Sequence, residues 1–142
     1  MGGAKLAAAV FNVGGKFIRK PFLELEVDEF MSGIEANGKG GFLFSHAALP
    51  LLLKSTDLEH PPTLIFTSAT AAQKGGALAS SFSAGKFALR SLSQSLAREF
   101  GPKGVHVAHA IIDGIIDTEK TKAWNVSDQP DSKINPEGVS IS

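Results

Sequence analysis

Leu6 to Val13 reads "LAAAVFNV", apolar at every position but Asn12, and it stops at Gly14-Gly15. A half-exposed strand alternates apolar and polar residues, whereas a continuous run fits a parallel strand covered on both faces. Two further strands follow the same logic, Thr63–Thr67 ("TLIFT") and Val105–Ile112 ("VHVAHAII"). Helical sequence lies between them. Pro21 can open a helix over Phe22–Met31, whose early acids Glu24, Glu26, Asp28 and Glu29 favour a helix N-terminal half. Gly38–Gly41 ("GKGG") is expected to break the pattern, before a buried helix over Phe42–Lys54 that contains Pro50. A third helix is expected from a cap at Ser80 or Ser81 to Phe100, with Phe82, Leu89, Leu92, Leu96 and Phe100 near one face and Gly101-Pro102 as its stop. Strand, two helices, strand, long helix, strand: this order predicts an α/β fold with a parallel sheet of three main strands and flanking helices.

At 142 residues the chain has the length of one domain. We expect that domain over 1–124, with a short helix at Ile115–Trp124, and a poorly ordered polar tail over 125–142. The formal net charge is zero, which argues against a nucleic-acid surface. The chain has no cysteine, so it has neither disulfides nor thiolate metal sites, and it suits a reducing, cytoplasmic setting. No segment reaches the roughly 18 apolar residues of a membrane span.

Parallel sheets carry their sites beyond the carboxyl ends of the strands. Those ends fall at Asn12-Val13-Gly14, Thr67-Ser68 and Asp113-Gly114. Next to the middle one, "SSFSAGK" (80–86) sets Lys86 early in a helix, where its charge opposes the macrodipole. Either an anionic ligand or a hydrogen-bond role explains that placement, or the side chain runs out to solvent. Asn37, before a glycine run, reads by itself as a helix cap, and Lys16–Lys20 as a solvated basic loop. His106 and His109 are three apart on a strand, so they point to opposite faces and do not share a metal.

Several of these segments together resemble the short-chain dehydrogenase/reductases, over roughly Leu6–Thr118. "FNVGG" is similar to the turn after the family's fourth strand, with Asn12 and Gly14 kept. "EANGKGGF" resembles the segment of the catalytic asparagine (Asn37), and "IFTSAT" the strand ending in the catalytic serine (Ser68). "FSAGK" resembles the Tyr-x-x-x-Lys motif, with Lys86 kept and Phe82 at the tyrosine position. "LAREFGPKGVHVAHAIIDGIIDT" resembles the run that ends in the family's Pro-Gly turn, with Gly114 and Thr118 matching and Asp113 in place of the proline. The resemblance implies a partial Rossmann-type, doubly wound domain. It implies an NAD(P)-dependent oxidoreductase passing hydride between the cofactor and a small alcohol or carbonyl substrate. Asn37, Ser68 and Lys86 would be the catalytic frame, and Asn12, Gly14, Lys86, Gly114 and Thr118 would contact the cofactor. It also implies a homodimer through the two long helices, here Phe42–Lys54 and Ser81–Phe100.

Two departures set further expectations. The family's first glycine-rich turn, which holds the pyrophosphate, has no counterpart here, so the chain is expected to be truncated at the N-terminal cofactor-binding half, with activity impaired or absent. Phe82 has no transferable proton. On its own helix it reads as a core aromatic. A catalytically inactive binding or scaffold protein with the same fold is the alternative.

Overall fold

The computed structural model describes residues 3–124 and 132–139, in two compact units, Met1–Ile111 and Ile112–Ser142. The first holds β1 (Ala8–Phe11), α1 (Val27–Ile34), α2 (Gly40–Leu53), β2 (Thr63–Ala69), α3 (Ser80–Phe100) and nearly all of β3 (His106–Ile112). The strands lie in the order β1-β2-β3 in one sheet. β1 and β2 are parallel, in a register running from Ala8 opposite Thr63 to Phe11 opposite Phe66. On the other side the His106 amide donates to the Pro62 carbonyl at 2.9 Å. The parallel α/β fold is therefore the one the sequence predicts.

The core forms where the sheet's inner face meets the helices. β2 buries every second residue, and Leu64 and Phe66 pack with Phe11 of β1, Ala48, Leu49 and Leu52 of α2, Leu89 of α3, and Val105. Phe66 meets Phe11 edge-on at 6.1 Å between centroids. β1 is shorter than expected and lies at the sheet edge. Only Phe11 is buried along it, while Val10 is half exposed, so its continuous apolar run is not covered on both faces.

The Gly38–Gly41 break does not occur. The chain stays helical from α1 through one π turn (Glu35–Lys39) directly into α2. Gly38 and Gly41 are there because α3 crosses closely. A Cβ on Gly41 would lie 2.6 Å from Leu89 Cδ1, and one on Gly38 3.3 Å from the Ala88 Cβ. The same crossing explains Gly33 and Gly85. A Cβ at Gly33 would lie 2.2 Å from the Ser81 carbonyl oxygen, and a Cβ at Gly85 2.2 Å from the Gly33 carbonyl oxygen. Nor does Pro21 open an α-helix. Phe22–Glu24 is a single 3-10 turn, and α1 starts only at Val27, where the Glu29 carboxylate accepts the Glu26 amide at 2.9 Å. α2 is not fully buried, since Phe42, Leu43 and Leu51 remain exposed, and Pro50 is accommodated inside it.

The cap expected at Ser80 or Ser81 is absent. Ala79 holds the cap position, and the Ser81 hydroxyl lies 2.8 and 2.9 Å from the Glu29 and Phe30 carbonyls, tying α3 to α1. Beyond β3, the second unit has turns instead of a helix at 115–124. Ile116 pairs in parallel with Ile134, and Pro136–Val139 is a 3-10 turn. Part of the expected tail, 125–131 and 140–142, lies outside the described residues.

Candidate functional site

The π turn decides where Asn37 goes. One extra residue in the turn rotates its side chain inward, and Asn37 is fully buried instead of capping a helix. Its Nδ2 donates to the Gly33 carbonyl at 3.0 Å, while its Oδ1 is buried without a partner. Two glycines leave it room. Cβ atoms built on Gly85 and on Gly15 would come within 3.1 and 3.4 Å of that same Nδ2. Gly15 sits at φ +73°, a left-handed conformation suited to glycine. The loop after β1, the π turn and the start of α3 thus meet around Asn37.

Lys86 lies at the same junction. Because α3 begins at Ser80, Lys86 is in its second turn, so the opposition to the macrodipole is weaker than the sequence suggests. Its side chain does not run to solvent: the residue is 4% exposed. Nζ donates to the Val13 carbonyl at 3.3 Å, and among the described residues no carboxylate pairs with it. Burial pushes its pKa below the ordinary lysine value, since an ammonium without water or a counter-charge is costly.

Phe82, one turn earlier, is not part of the core. Its ring meets Phe17 edge-on at 5.0 Å and an 89° interplanar angle, and Lys86 Nζ lies 5.7 Å from its centroid. The loop after β1 is therefore docked over the start of α3 instead of being a free solvated stretch. The Lys20 amide donates to the Leu78 carbonyl at 2.9 Å, and Lys20 Nζ reaches Glu29 at 2.9 Å. Leu78, with φ +65°, is a strained non-glycine residue at that joint.

Ser68 is the penultimate residue of β2, on the face of Leu64 and Phe66. It is 4% exposed and its hydroxyl has no partner; the buried Ser83 hydroxyl is likewise unmatched. Buried polar groups nearly always find partners, and among the described residues the Ser68 and Ser83 hydroxyls and Asn37 Oδ1 do not. Asn12 and Gly14 are exposed in the loop after β1, and a Cβ at Gly14 would meet nothing within 4 Å. Gly114 and Thr118 belong to the second unit. Gly114 has φ +156°, with Ile134 packed where a Cβ would be, and the Thr118 amide donates to Thr121 Oγ1 at 2.9 Å.

The sequence alone did not bring out Gly33, Gly85 or Phe17, and it weighed His109 only as a metal ligand. A glycine inside a long helix, as at Gly85, is a usable signal, because it costs about 1 kcal/mol unless a close contact requires it. His109 shares a strand face with Val107, which packs on the core, and its Nε2 is buried without a partner. Desolvation first, then the Arg90 and Lys86 charges, hold its pKa below 6.5. The unfolded chain therefore takes up a proton at His109 before the folded one does. This part of the stability is present above the unfolded value and is lost as pH falls through the folded one. His109→Gln should flatten that acid limb, which urea unfolding at about pH 7.5 and about pH 5 will measure.

Lys86 and Asn37 are buried where the loop after β1 meets α3, and Ser68 is buried near the carboxyl end of β2. The short chain dehydrogenase family profile matches residues 4–129, and the chain belongs to that family. An uncharacterised oxidoreductase of Staphylococcus aureus (strain N315) is 31% identical over 130 residues, covering 92% of this chain and 53% of that protein. The chain thus spans about half the length of the curated relatives it matches. Among solved structures, a short-chain dehydrogenase from Rhodopseudomonas palustris is 33% identical with a TM-score of 0.68, covering 94% of this chain and 63% of that one. A short-chain dehydrogenase from Escherichia coli CFT073, complexed with NADPH, is 26% identical with a TM-score of 0.74, covering 87% of this chain and 50% of that one.

Proposed function

We propose that this chain carries the catalytic half of an NAD(P)-dependent oxidoreductase acting on a small carbonyl or alcohol. The observation that carries the reading is the buried Lys86 side chain, which among the described residues has no carboxylate partner, at the junction where Asn37 Oδ1 is also buried without a partner. These groups fit the ribose and nicotinamide end of a dinucleotide. Two of the three Lys86 N–H donors are open to sugar hydroxyls, and the exposed Asn12–Gly14 backbone lies alongside, at the Val13 carbonyl that Lys86 contacts. The bound nicotinamide would supply or accept the hydride. In that frame the Ser68 hydroxyl orients the carbonyl oxygen by donating to it, and Asn37 Oδ1 holds a donor in line with Lys86. Gly114 and Thr118 are proposed as cofactor-contacting residues on the family resemblance of their segment. NADPH bound to the Escherichia coli relative supports the choice of cofactor.

Phe82 favours one second reading, a protein that keeps the frame and binds the dinucleotide without turnover. The exposed Phe42, Leu43 and Leu51 of α2 and Phe87 of α3 support a homodimer through these helices. Among the described residues no helix is long and apolar enough to cross a membrane, in keeping with the cytoplasmic setting proposed.

The test is calorimetric titration of the chain with NADH and with NADPH. Saturable binding of either is expected. No binding at about millimolar cofactor, a usual upper limit for substrate affinities, would sink the idea that this chain acts alone as a dehydrogenase.

A further inference from the structure

Carbonyl reduction needs a hydride at carbon and a proton at oxygen, and the side chain at position 82 has no proton to give. The question is which group beside it does. The hydroxyls of Ser68, Ser81 and Ser83 are far weaker acids than a phenol. Ser81 is also committed to the Glu29 and Phe30 carbonyls of α1. The Asn37 amide does not titrate. His109 faces the same side of the sheet, but desolvation and the Arg90 and Lys86 charges lower its pKa and disfavour the protonated form that would donate.

We propose that Lys86 Nζ delivers the proton to the substrate's carbonyl oxygen, replacing the side chain at position 82 in that role. This rests on the oxidoreductase reading above. The geometry that carries it is a buried amine, 5.7 Å from the centroid of the very ring that lacks the acid, with one hydrogen-bond acceptor at 3.3 Å and no ion pair among the described residues. In the step, the carbonyl carbon gains the hydride of a reduced nicotinamide. Its π pair moves to oxygen, and that oxygen takes one proton from the Lys86 ammonium. The neutral amine left behind is reprotonated from solvent, so charge and atoms balance.

The surroundings favour the exchange. The titratable groups toward Lys86 are Arg90, one turn on along α3, and His109 of β3. Neither is an acid that would hold the ammonium charged. Desolvation makes it more willing to release a proton, the direction in which catalytic lysines are tuned. The Phe82 ring beside the amine packs edge-on against Phe17 of the loop after β1.

Lys86→Arg separates proton transfer from binding, because a guanidinium keeps the charge and the donors but does not deprotonate. Expected results are cofactor affinity within about tenfold of the wild type and carbonyl reduction slower by roughly 10²–10⁴-fold. Adding Phe82→Tyr to Lys86→Arg should restore most of the lost rate, while Phe82→Tyr alone should change the wild type by less than about tenfold. An independent reading needs no cofactor: ¹³Cε-lysine NMR of the chain alone, with Lys86 assigned by its absence in Lys86→Arg, should show it titrating below the other lysines. Undiminished reduction by Lys86→Arg, failure of the rescue, a large gain from Phe82→Tyr alone, or a Lys86 resonance that titrates with the rest would each overturn the assignment. Absence of cofactor binding by the wild type, read by calorimetry first, would instead overturn the oxidoreductase reading and take this step with it.

Discussion

Gly85→Ala will destabilise the chain by about 3 kcal/mol, the upper end of the usual cost of overpacking. The added methyl would lie 2.2 Å from the Gly33 carbonyl oxygen and 2.6 Å from its carbon. A flexible side chain can turn away from such a clash, but here the obstacle is the backbone of α1, so α1 and α3 must separate. Separation loosens the Ser81 hydroxyl from the Glu29 and Phe30 carbonyls, the tie that holds the start of α3. The same methyl would press on Asn37 Nδ2 from 3.1 Å, so the site is disturbed together with the fold. Against a typical total stability of about 5–15 kcal/mol, this is a large fraction. Urea unfolding measures it. Gly75→Ala is the control, since a Cβ at Gly75 would meet nothing within 4 Å and should leave the midpoint nearly unchanged. If Gly85→Ala unfolds like the wild type, the helix crossing is not as tight as described here.

Phe66→Ala should cost as much or more, about 3–5 kcal/mol, through lost burial and the cavity left behind. Phe66 is fully buried at the centre of β2, against Phe11 on the neighbouring strand and among the residues of α2 and α3. It is also two residues before Ser68 on the same strand face. The cavity would therefore open directly behind the serine near the end of the strand, and Ser68 should lose its fixed position before the sheet itself fails. Amide hydrogen exchange will show both effects. Faster exchange is expected along β1 and β2, with global unfolding at lower urea. A midpoint within about 1 kcal/mol of the wild type would mean that α2 and α3 collapse into the space, which the spread of such costs allows only where neighbours can move.

Much of the fold was legible in the chain. Three apolar runs ending in glycine or serine, separated by helical sequence, define a parallel α/β sheet without any tertiary knowledge, because periodicity is a local property. Where local signals misled, a long-range contact had overridden them. Gly38–Gly41 looks like a break because glycine weakens helices, yet Gly38 and Gly41 let α3 approach and Gly40 lies against Phe11 of β1. Ser81 looks like a cap because serine oxygen suits an N-terminus, yet its proton is taken by α1 carbonyls 51 and 52 residues away in sequence. β1 looks doubly covered because its residues are apolar, yet its place at the sheet edge leaves Val10 exposed.

The same division holds for the site. The identities of Asn37, Ser68 and Lys86, and the missing hydroxyl at Phe82, stand in the sequence and need no coordinates. Their chemical states do not. Lys86 is buried with its ammonium on the Val13 carbonyl of the folded-back β1 loop, and whether Asn37 caps a helix or turns inward depends on one extra residue in a π turn. Sequence set which atoms are available. Tertiary packing set which of them are charged, buried or unpartnered, because desolvation is a property of everything that surrounds a group and not of its neighbours along the chain.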